Sequence, residues 1–357
     1  MTHLPDETIH PRFAVALSGG VDSAVAAALL KEGGADVVAF TMRLQKGDRT
    51  DDAVQVAAAL DIPHHVIDLT ERFALCVMGP FAESYARGET PSPCVRCNRL
   101  IKFGALIDAA KEQGTTALVT GHYVRRVETD GGAQLHTGSD PVRDQSYFLS
   151  ALTQEQIDFM RVPLGAMDKS ETRALALRYK LPVAHKLDSQ DICFVEGGDY
   201  AAVVKRFCPD AFQAGEIVDQ AGCVLGHHQG LAFFTVGQRK GLSLGHREGD
   251  HNDPLFVLSL EPKNNKVIVG PREALARRIV HLQDVNWLGD DVPAEGLCVT
   301  TKLRSAQAPL AARFYAIENG GGTLHLDAPT YGVAKGQRAA LYDGSRLLGG
   351  GWIVGSE

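Results

Sequence analysis

The sequence predicts an α/β fold: a doubly wound parallel-sheet domain, followed by a small mixed, largely β middle domain and a C-terminal β-barrel. Three observations predict it. From Phe13 to about Phe194 short β-branched or apolar runs ("FAVALS", "ADVVAFTM", "PHHVIDL", "TALVTGHYV") alternate with helical stretches such as Asp51 to Leu60 and Arg99 to Gln113. Such alternation implies parallel strands with helices on both faces. After about Tyr200 the texture changes to "GEIVDQAGCVLGHHQG", "FFTVGQRKGLSL" and "LFVLSLEPKNNKVIVG", which read as short strands, with "EPKNNK" as a hairpin turn. From about His281 strand-like runs return in "GLCVTTKLR", "AARFYAIENGGGTLHLD" and "QRAALYDGSRLLGGGWIV". The expected divisions are therefore residues 1–204, 205–280 and 281–357, consistent with a chain of 357 residues being too long for one core.

Composition narrows the classes. Hydrophobic content of 45% and charged content of 22% are those of a soluble globular protein. No apolar run is long enough to span a bilayer, and "MTHLPDETIHPR" lacks the sections of a signal peptide, so a cytoplasmic protein is expected. Seven sparse cysteines argue against a secreted disulfide framework. A net charge of -7 means that a nucleic-acid partner would need local basic patches, because the field of the whole chain opposes it.

The stretch after the first strand, Ala16-Leu17-Ser18-Gly19-Gly20-Val21-Asp22-Ser23, carries the first chemistry. Glycine at 19 and 20 allows positive φ and close approach of the backbone to an anion. A helix starting near Asp22 offers free N–H groups and a positive dipole end to a phosphate. Ser18 and Ser23 add hydroxyl donors, and Asp22 is placed to help hold Mg²⁺ through water. The lysine of a Walker loop is missing, so this is a different phosphate cradle. The plainer reading is a turn with Asp22 or Ser23 capping a helix.

Two cysteine segments carry the second. "TPSPCVRCNRLIKFGAL" places Cys94 and Cys97 before an amphipathic helix with Leu100, Phe103, Leu106 and Ile107 on one face. A helix N-terminus and the neighbouring Arg96, Arg99 and Lys102 favour the thiolate of Cys97. In "KLDSQDICFVEGGDY", Cys193 is expected to be buried among apolar neighbours. Three readings stand: half of a zinc site, an iron–sulfur cluster on Cys94, Cys97 and Cys193, or thiols in sulfur transfer. Cys76, Cys208, Cys223, Cys298 and the paired histidines at 64–65 and 227–228 read as structural, and "GHREGDH", with His246 and His251, as a solvated turn.

"SGGVDS" after a strand resembles the pyrophosphate loop of adenine-nucleotide α-hydrolases, which split ATP into AMP and pyrophosphate. Together with "TPSPCVRCNRLIKF", "TGHYVRR", "DPVRDQSYFLSAL", "DSQDICFV", "FFTVGQRKGL" and "AKGQRAALYDG", the chain resembles the bacterial tRNA-specific 2-thiouridylases over nearly its whole length. The resemblance implies ATP-dependent 2-thiolation of the wobble uridine in tRNAs for Lys, Glu and Gln. It implies ATP and Mg²⁺ as cofactors, tRNA as partner, a monomer, and a cysteine desulfurase or relay protein as persulfide donor. Cys193 would carry the persulfide and Cys97 act opposite it. Residues 16–23, Met42 and Gly121 would hold the nucleotide. Ser92, Pro93 and Cys94 would lie beside the flipped base, and His122, Arg143, Asp144, Gln145, Arg304, Ser305 and Gln337 would touch tRNA. On the residues alone, His122 reads as a structural histidine, Met42 as core, Ser92-Pro93 as a turn and Gln337 as barrel surface. Asp144 suits loop ordering or Mg²⁺ as well as RNA. Many family members carry an acidic residue where Cys94 stands, which leaves the general base open and favours the cluster or a disulfide-resolving thiol.

Overall fold

The computed structural model describes residues 11–188, 192–242, 244 and 253–357. By its contacts the chain divides into two units, one holding the described residues within 1–73, 98–146 and 152–189, the other those within 74–97, 147–151 and 190–357. The tract with His246 and His251, and Ser189 to Asp191 of the second cysteine segment, lie outside the described residues.

In the first unit β1 (Arg12–Ala16), β2 (Asp36–Arg43), β3 (His64–Asp68), β4 (Ala117–Val119) and β7 (Met160–Arg161) form a parallel sheet in the order β3-β2-β1-β4-β7. The central β1 is flanked on both sides, which is why its Ala14 and Val15 are wholly buried. The alanine-rich α1 (Val21–Glu32) lies in the core with Ala24 to Ala28 buried, because small side chains let a helix sit close to a sheet. α2 (Asp51–Ala59) adds Ala53, Val56 and Ala57 to the same core. The expected helix from Arg99 starts one residue earlier and is π-helical over Asn98–Ala105 before continuing as α over Leu106–Glu112.

One run differs from its reading. "TALVTGHYV" is two strands: β4 ends at Val119, and β5 (Val124–Thr129) starts an antiparallel hairpin with β6 (Gly132–Thr137). Just past the end of β4, Gly121 passes against the start of α1. A Cβ there would lie 2.7 Å from the Asp22 carbonyl carbon.

The second unit contains a four-stranded sheet of β8 (Gly215–Val218), β9 (Val224–His228), β10 (Phe256–Glu261) and β11 (Lys266–Gly270) in the order β10-β11-β8-β9. The hairpin at "EPKNNK" is present, with Asn265 in the left-handed region at φ 50°. The described residues of "FFTVGQRKGLSL" form no strand. Leu231–Phe233 is a single 3₁₀ turn and the chain runs on irregularly, since Gly230, Gly237 and Gly241 all take positive φ.

Six further strands, β12 (Ala276–Trp287), β13 (Leu297–Lys302), β14 (Leu310–Ile317), β15 (Gly321–Tyr331), β16 (Arg338–Asp343) and β17 (Arg346–Ser356), close into a barrel through β12–β17 pairing. Its core is Val280, Leu282, Val299, Phe314, Leu324, Leu341 and Ile353, with Trp287 stacked on Phe314 at 5.2 Å. Glycines 349 to 351 let β17 approach closely; a Cβ at Gly350 would sit 2.2 Å from the Ala339 carbonyl. The unit also holds a helical segment, a π-turn over Ala74–Met78 followed by α3 (Gly79–Ala86) and α4 (Pro93–Cys97), and later α5 (Tyr200–Phe207).

Candidate functional site

The first unit presents an open phosphate cradle at the carboxyl end of β1. Gly19 takes φ 72°, and a Cβ there would lie 2.8 Å from Asp52 Cβ, so only glycine fits the turn. The Ser18 amide donates to Ser23 Oγ at 3.2 Å, and the Ser23 hydroxyl donates to the Gly20 carbonyl at 3.1 Å. These bonds fix the loop shape. α1 begins at Val21 with Gly20 as its N-cap, and no side chain caps it. The capping by Asp22 or Ser23 that the plainer reading offers does not occur, and the first amides of a buried helix are left for an anion.

Asp22 bonds instead to two side chains. Its Oδ1 accepts from Lys169 Nζ at 2.6 Å and from the Tyr123 hydroxyl at 2.9 Å. Lys169 also pairs with Asp188 at 2.9 Å, and Asp188 pairs with Arg173 at 2.9 Å and Arg143 at 3.2 Å. Burial opposes ionisation of Asp188, but the hydrogen bond from Lys169 and the charges of Lys169, Arg173 and Arg143 outweigh it and hold its carboxyl below the usual range. Lys186 Nζ donates to the Gly19 carbonyl at 3.0 Å and pairs with Asp52. Lys169, Asp188 and Lys186 are absent from the sequence reading. A lysine at the first turn of a capped helix (Asp168 forms a full capping box there) gives no local sign that it serves a distant loop.

Met42 sits half-buried near the end of β2, and Gly121 presses on the start of α1, so both border the cradle's end of the sheet. His122 is buried, accepts or donates at Thr120 Oγ1 at 2.8 Å, and lies 3.5 Å from Lys102 Nζ. Burial first, then the Lys102 charge, push its pKa well below the ordinary value, so its ring is neutral, as the structural reading expects. Gln145 exchanges bonds with the Tyr123 backbone, its Oε1 accepting at 3.0 Å. Asp144 accepts from the Gly138 and Ser146 amides, each at 3.1 Å, which is the loop-ordering role among those open to it.

The second unit carries the thiols, all seven cysteines being in thiol form. Cys94 and Cys97 are half-buried on α4, which is anchored by buried Pro93 and Val95 and by Arg96 Nε donating to the Cys76 carbonyl at 3.1 Å. Cys193 is exposed, contrary to the burial expected. Only its neighbours turn inward: Phe194 packs edge-on to Phe81 of α3 at 5.1 Å, and Val195 is buried. Tyr200 of α5 stacks on Tyr85 of α3 at 5.1 Å. The structure thus rests both cysteine segments on the helical segment Ala74–Ala86.

Gln337 is not free barrel surface. Its Nε2 donates to the Thr90 and Pro91 carbonyls at 3.1 and 3.2 Å, and its Oε1 accepts from the Tyr147 hydroxyl at 3.1 Å. It clamps the irregular segment leading to buried Ser92. Burial raises Tyr147 to about 12, against the bonds it makes to the Arg338 backbone and Ser92. A cleft of about 310 Å³ opens here, lined by Phe81, Ser92, Pro93, Arg96, Lys335 and Trp352 among others. Arg304 donates to the Val236 and Gly332 carbonyls, and Ser305 is exposed. Among the described residues no group of three or more His, Cys, Asp or Glu side chains is arranged to hold a metal ion. Among the described residues Cys94, Cys97 and Cys193 are not gathered into a set that fits an iron–sulfur cluster.

Three family profiles match in succession: the tRNA methyl transferase HUP domain over residues 11–197, the tRNA methyl transferase PRC-barrel domain over 202–271, and the aminomethyltransferase β-barrel domain over 277–353. A tRNA-specific 2-thiouridylase from Rhodospirillum centenum is 52% identical, covering 97% of this chain and 92% of its own. Another from Parvibaculum lavamentivorans is 48% identical, covering 99% and 93%. Among solved structures, the NMN synthetase of Francisella tularensis overlays with TM-score 0.34 at 18% identity, covering 56% of this chain and 77% of that one. With a pyrophosphate-type loop in one unit, thiols and a closed barrel in the other, and such identity along almost all of its length, the chain belongs to the tRNA-specific 2-thiouridylase family.

Proposed function

We propose that the chain replaces the 2-oxygen of the wobble uridine in tRNA by sulfur, converting ATP to AMP and pyrophosphate. Near full-length identity to 2-thiouridylases carries this reading. Uridine C2 is at the amide level and its oxygen is a poor leaving group. Attack of O2 on the α-phosphorus of ATP expels pyrophosphate and turns that oxygen into part of a departing AMP. Sulfur then adds at C2, and AMP leaves.

The uncapped start of α1 takes the phosphate charge, with Ser18 and Ser23 hydroxyls beside it. Asp22, in the first turn of α1, would be the carboxylate to hold a nucleotide-bound Mg²⁺ through water, and that ion would neutralise phosphate charge. Lys169 pairs with Asp22 at 2.6 Å. Ser92, Pro93 and Cys94 receive the base, which must leave its stack to react. Cys193, exposed, is open to a persulfide donor protein, and Cys97 cleaves the persulfide it carries. A positioned sulfur nucleophile is worth roughly 7–11 kcal/mol of the barrier that the same reaction faces between separate molecules in solution. Arg143, Arg304 and Gln337 serve tRNA directly or by shaping the loops that do. A monomer in the cytoplasm belongs to the same reading, and no helix among the described residues is long and apolar enough to cross a membrane.

The test is reconstitution with ATP, a tRNA transcript and a small-molecule persulfide, read by mass spectrometry of nucleosides. Wild type is expected to form 2-thiouridine; Cys97→Ser and Cys193→Ser are expected to form none while retaining tRNA on a filter. Full activity in either variant removes the thiol mechanism.

A further inference from the structure

Cys94 has no part in the reaction just described beyond lining the base site, yet it sits three residues before Cys97 on one helix, α4. Residues three apart in an α-helix share a face, with Cα atoms about 5 Å apart. That spacing falls inside the roughly 4.4–6.8 Å that a disulfide tolerates. Both thiols are half-buried, and buried Pro93 and Val95 fix the turn that carries them. Cys193 differs: it is exposed, and it comes from a segment 96 residues further along the chain. Closing a short helical loop costs less chain entropy than closing a long one. Cys97 therefore has a standing local partner, whereas its bond to Cys193 depends on a remote loop.

We propose that Cys94 is the resolving thiol, which transfers the oxidised state from the Cys97–Cys193 pair onto the Cys94–Cys97 pair and returns Cys193 for reloading. The inference rests on the sulfur-transfer reading above. When the Cys97 thiolate cleaves the Cys193 persulfide, a Cys97–Cys193 bond forms and the terminal sulfur passes to the activated carbon. The Cys94 thiolate then attacks Cys97 Sγ. The Cys97–Cys193 bond breaks, the Cys94–Cys97 bond forms, and the electron pair departs with Cys193 as a thiolate, which takes up the proton that Cys94 gave to solvent. The exchange is neutral in electrons. A dithiol reductant reopens Cys94–Cys97 before the next cycle. The exposed cysteine is thereby free to meet its persulfide donor without waiting for that reduction.

The experiment loads the full chain with a small-molecule persulfide, adds ATP and a tRNA transcript without reductant, quenches with acid, alkylates, and maps disulfide-linked peptides. The expected wild-type product is a Cys94–Cys97 link with Cys193 alkylated. In Cys94→Ser the link is expected to be Cys97–Cys193, and Cys193 alkylation to fall at least roughly tenfold. A persistent Cys97–Cys193 link in wild type, or the same map in both proteins, overturns the proposal. Failure of the wider reading looks different: wild type then makes no 2-thiouridine in the same tube, whatever its links.

Discussion

At the scale of single residues, the phosphate cradle depends on positions where no side chain can be accommodated. Gly121 is the sharpest. An added Cβ would meet the Asp22 carbonyl carbon at 2.7 Å and the Ser23 amide nitrogen at 2.8 Å, both backbone atoms of the first turn of α1. Neither can rotate away, so Gly121→Ala must displace the helix start. Overpacking of this kind costs about 1–3 kcal/mol, and urea unfolding should show it together with a loss of ATP binding. Unchanged nucleotide affinity would mean that the start of α1 is not the phosphate site. His122 gives a pH signature. Its folded pKa is well below 6.5, so below pH 6.5 the unfolded chain takes a proton that the folded chain refuses. Its contribution to stability is therefore complete above 6.5 and declines as pH falls. His64 and His228 are shifted in the same direction by burial, so they add to the same acid loss. His122→Asn should narrow, without abolishing, the gap between melting temperatures at about pH 7.5 and about pH 5.5. An unchanged gap would contradict a neutral, buried ring.

At the scale of elements, what could be read from sequence was what neighbours in the chain decide. β1, its glycine turn and α1 are specified by an apolar run, two small residues and a stretch of alanine, all within one window. The "EPKNNK" hairpin is equally local. The cysteine segments were legible because their residue types are rare. The misses are of another kind. "FFTVGQRKGLSL" has strand-like composition, but its glycines sit at positive φ and bend the chain into turns. Lys169 reaches Asp22 from 147 positions away, and Gln337 reaches Pro91 from 246, and no periodicity reports such pairings. Arg338 shows what these pairings can be worth. It is wholly buried in the barrel wall, donating to the Ser150 and Gly350 carbonyls, with Trp352 under its guanidinium at 5.1 Å. Arg338→Met fills similar volume but strands two carbonyls, each costing about 1–3 kcal/mol. Denaturant unfolding should register a loss of that order, and a neutral result would show that the carbonyls find other donors.

At the scale of the whole molecule, charge sets the terms on which RNA is met. With 36 basic against 43 acidic residues, the net charge of -7 repels a polyanion at long range, so binding must come from a few local cations. Arginines in both units are already committed: Arg143 and Arg173 to Asp188 in the first, Arg304 to two carbonyls in the second. A small phosphate footprint follows. At a slope of about 0.7–0.9 per phosphate, three contacts lose roughly 20- to 40-fold in affinity between about 50 and 200 mM salt, where a more basic protein with twice as many would lose roughly 300- to 2,000-fold. The chemical step should respond differently. Lys169 and Asp188 are only 12% and 17% exposed at their side chains, and ions screen such pairs far less than surface ones. Salt should therefore raise KM for tRNA steeply while leaving kcat at saturating tRNA nearly level. If kcat falls in parallel with affinity, the charges that organise the pyrophosphate loop are themselves open to solvent, and the buried network around Asp22 does not hold the site together during turnover.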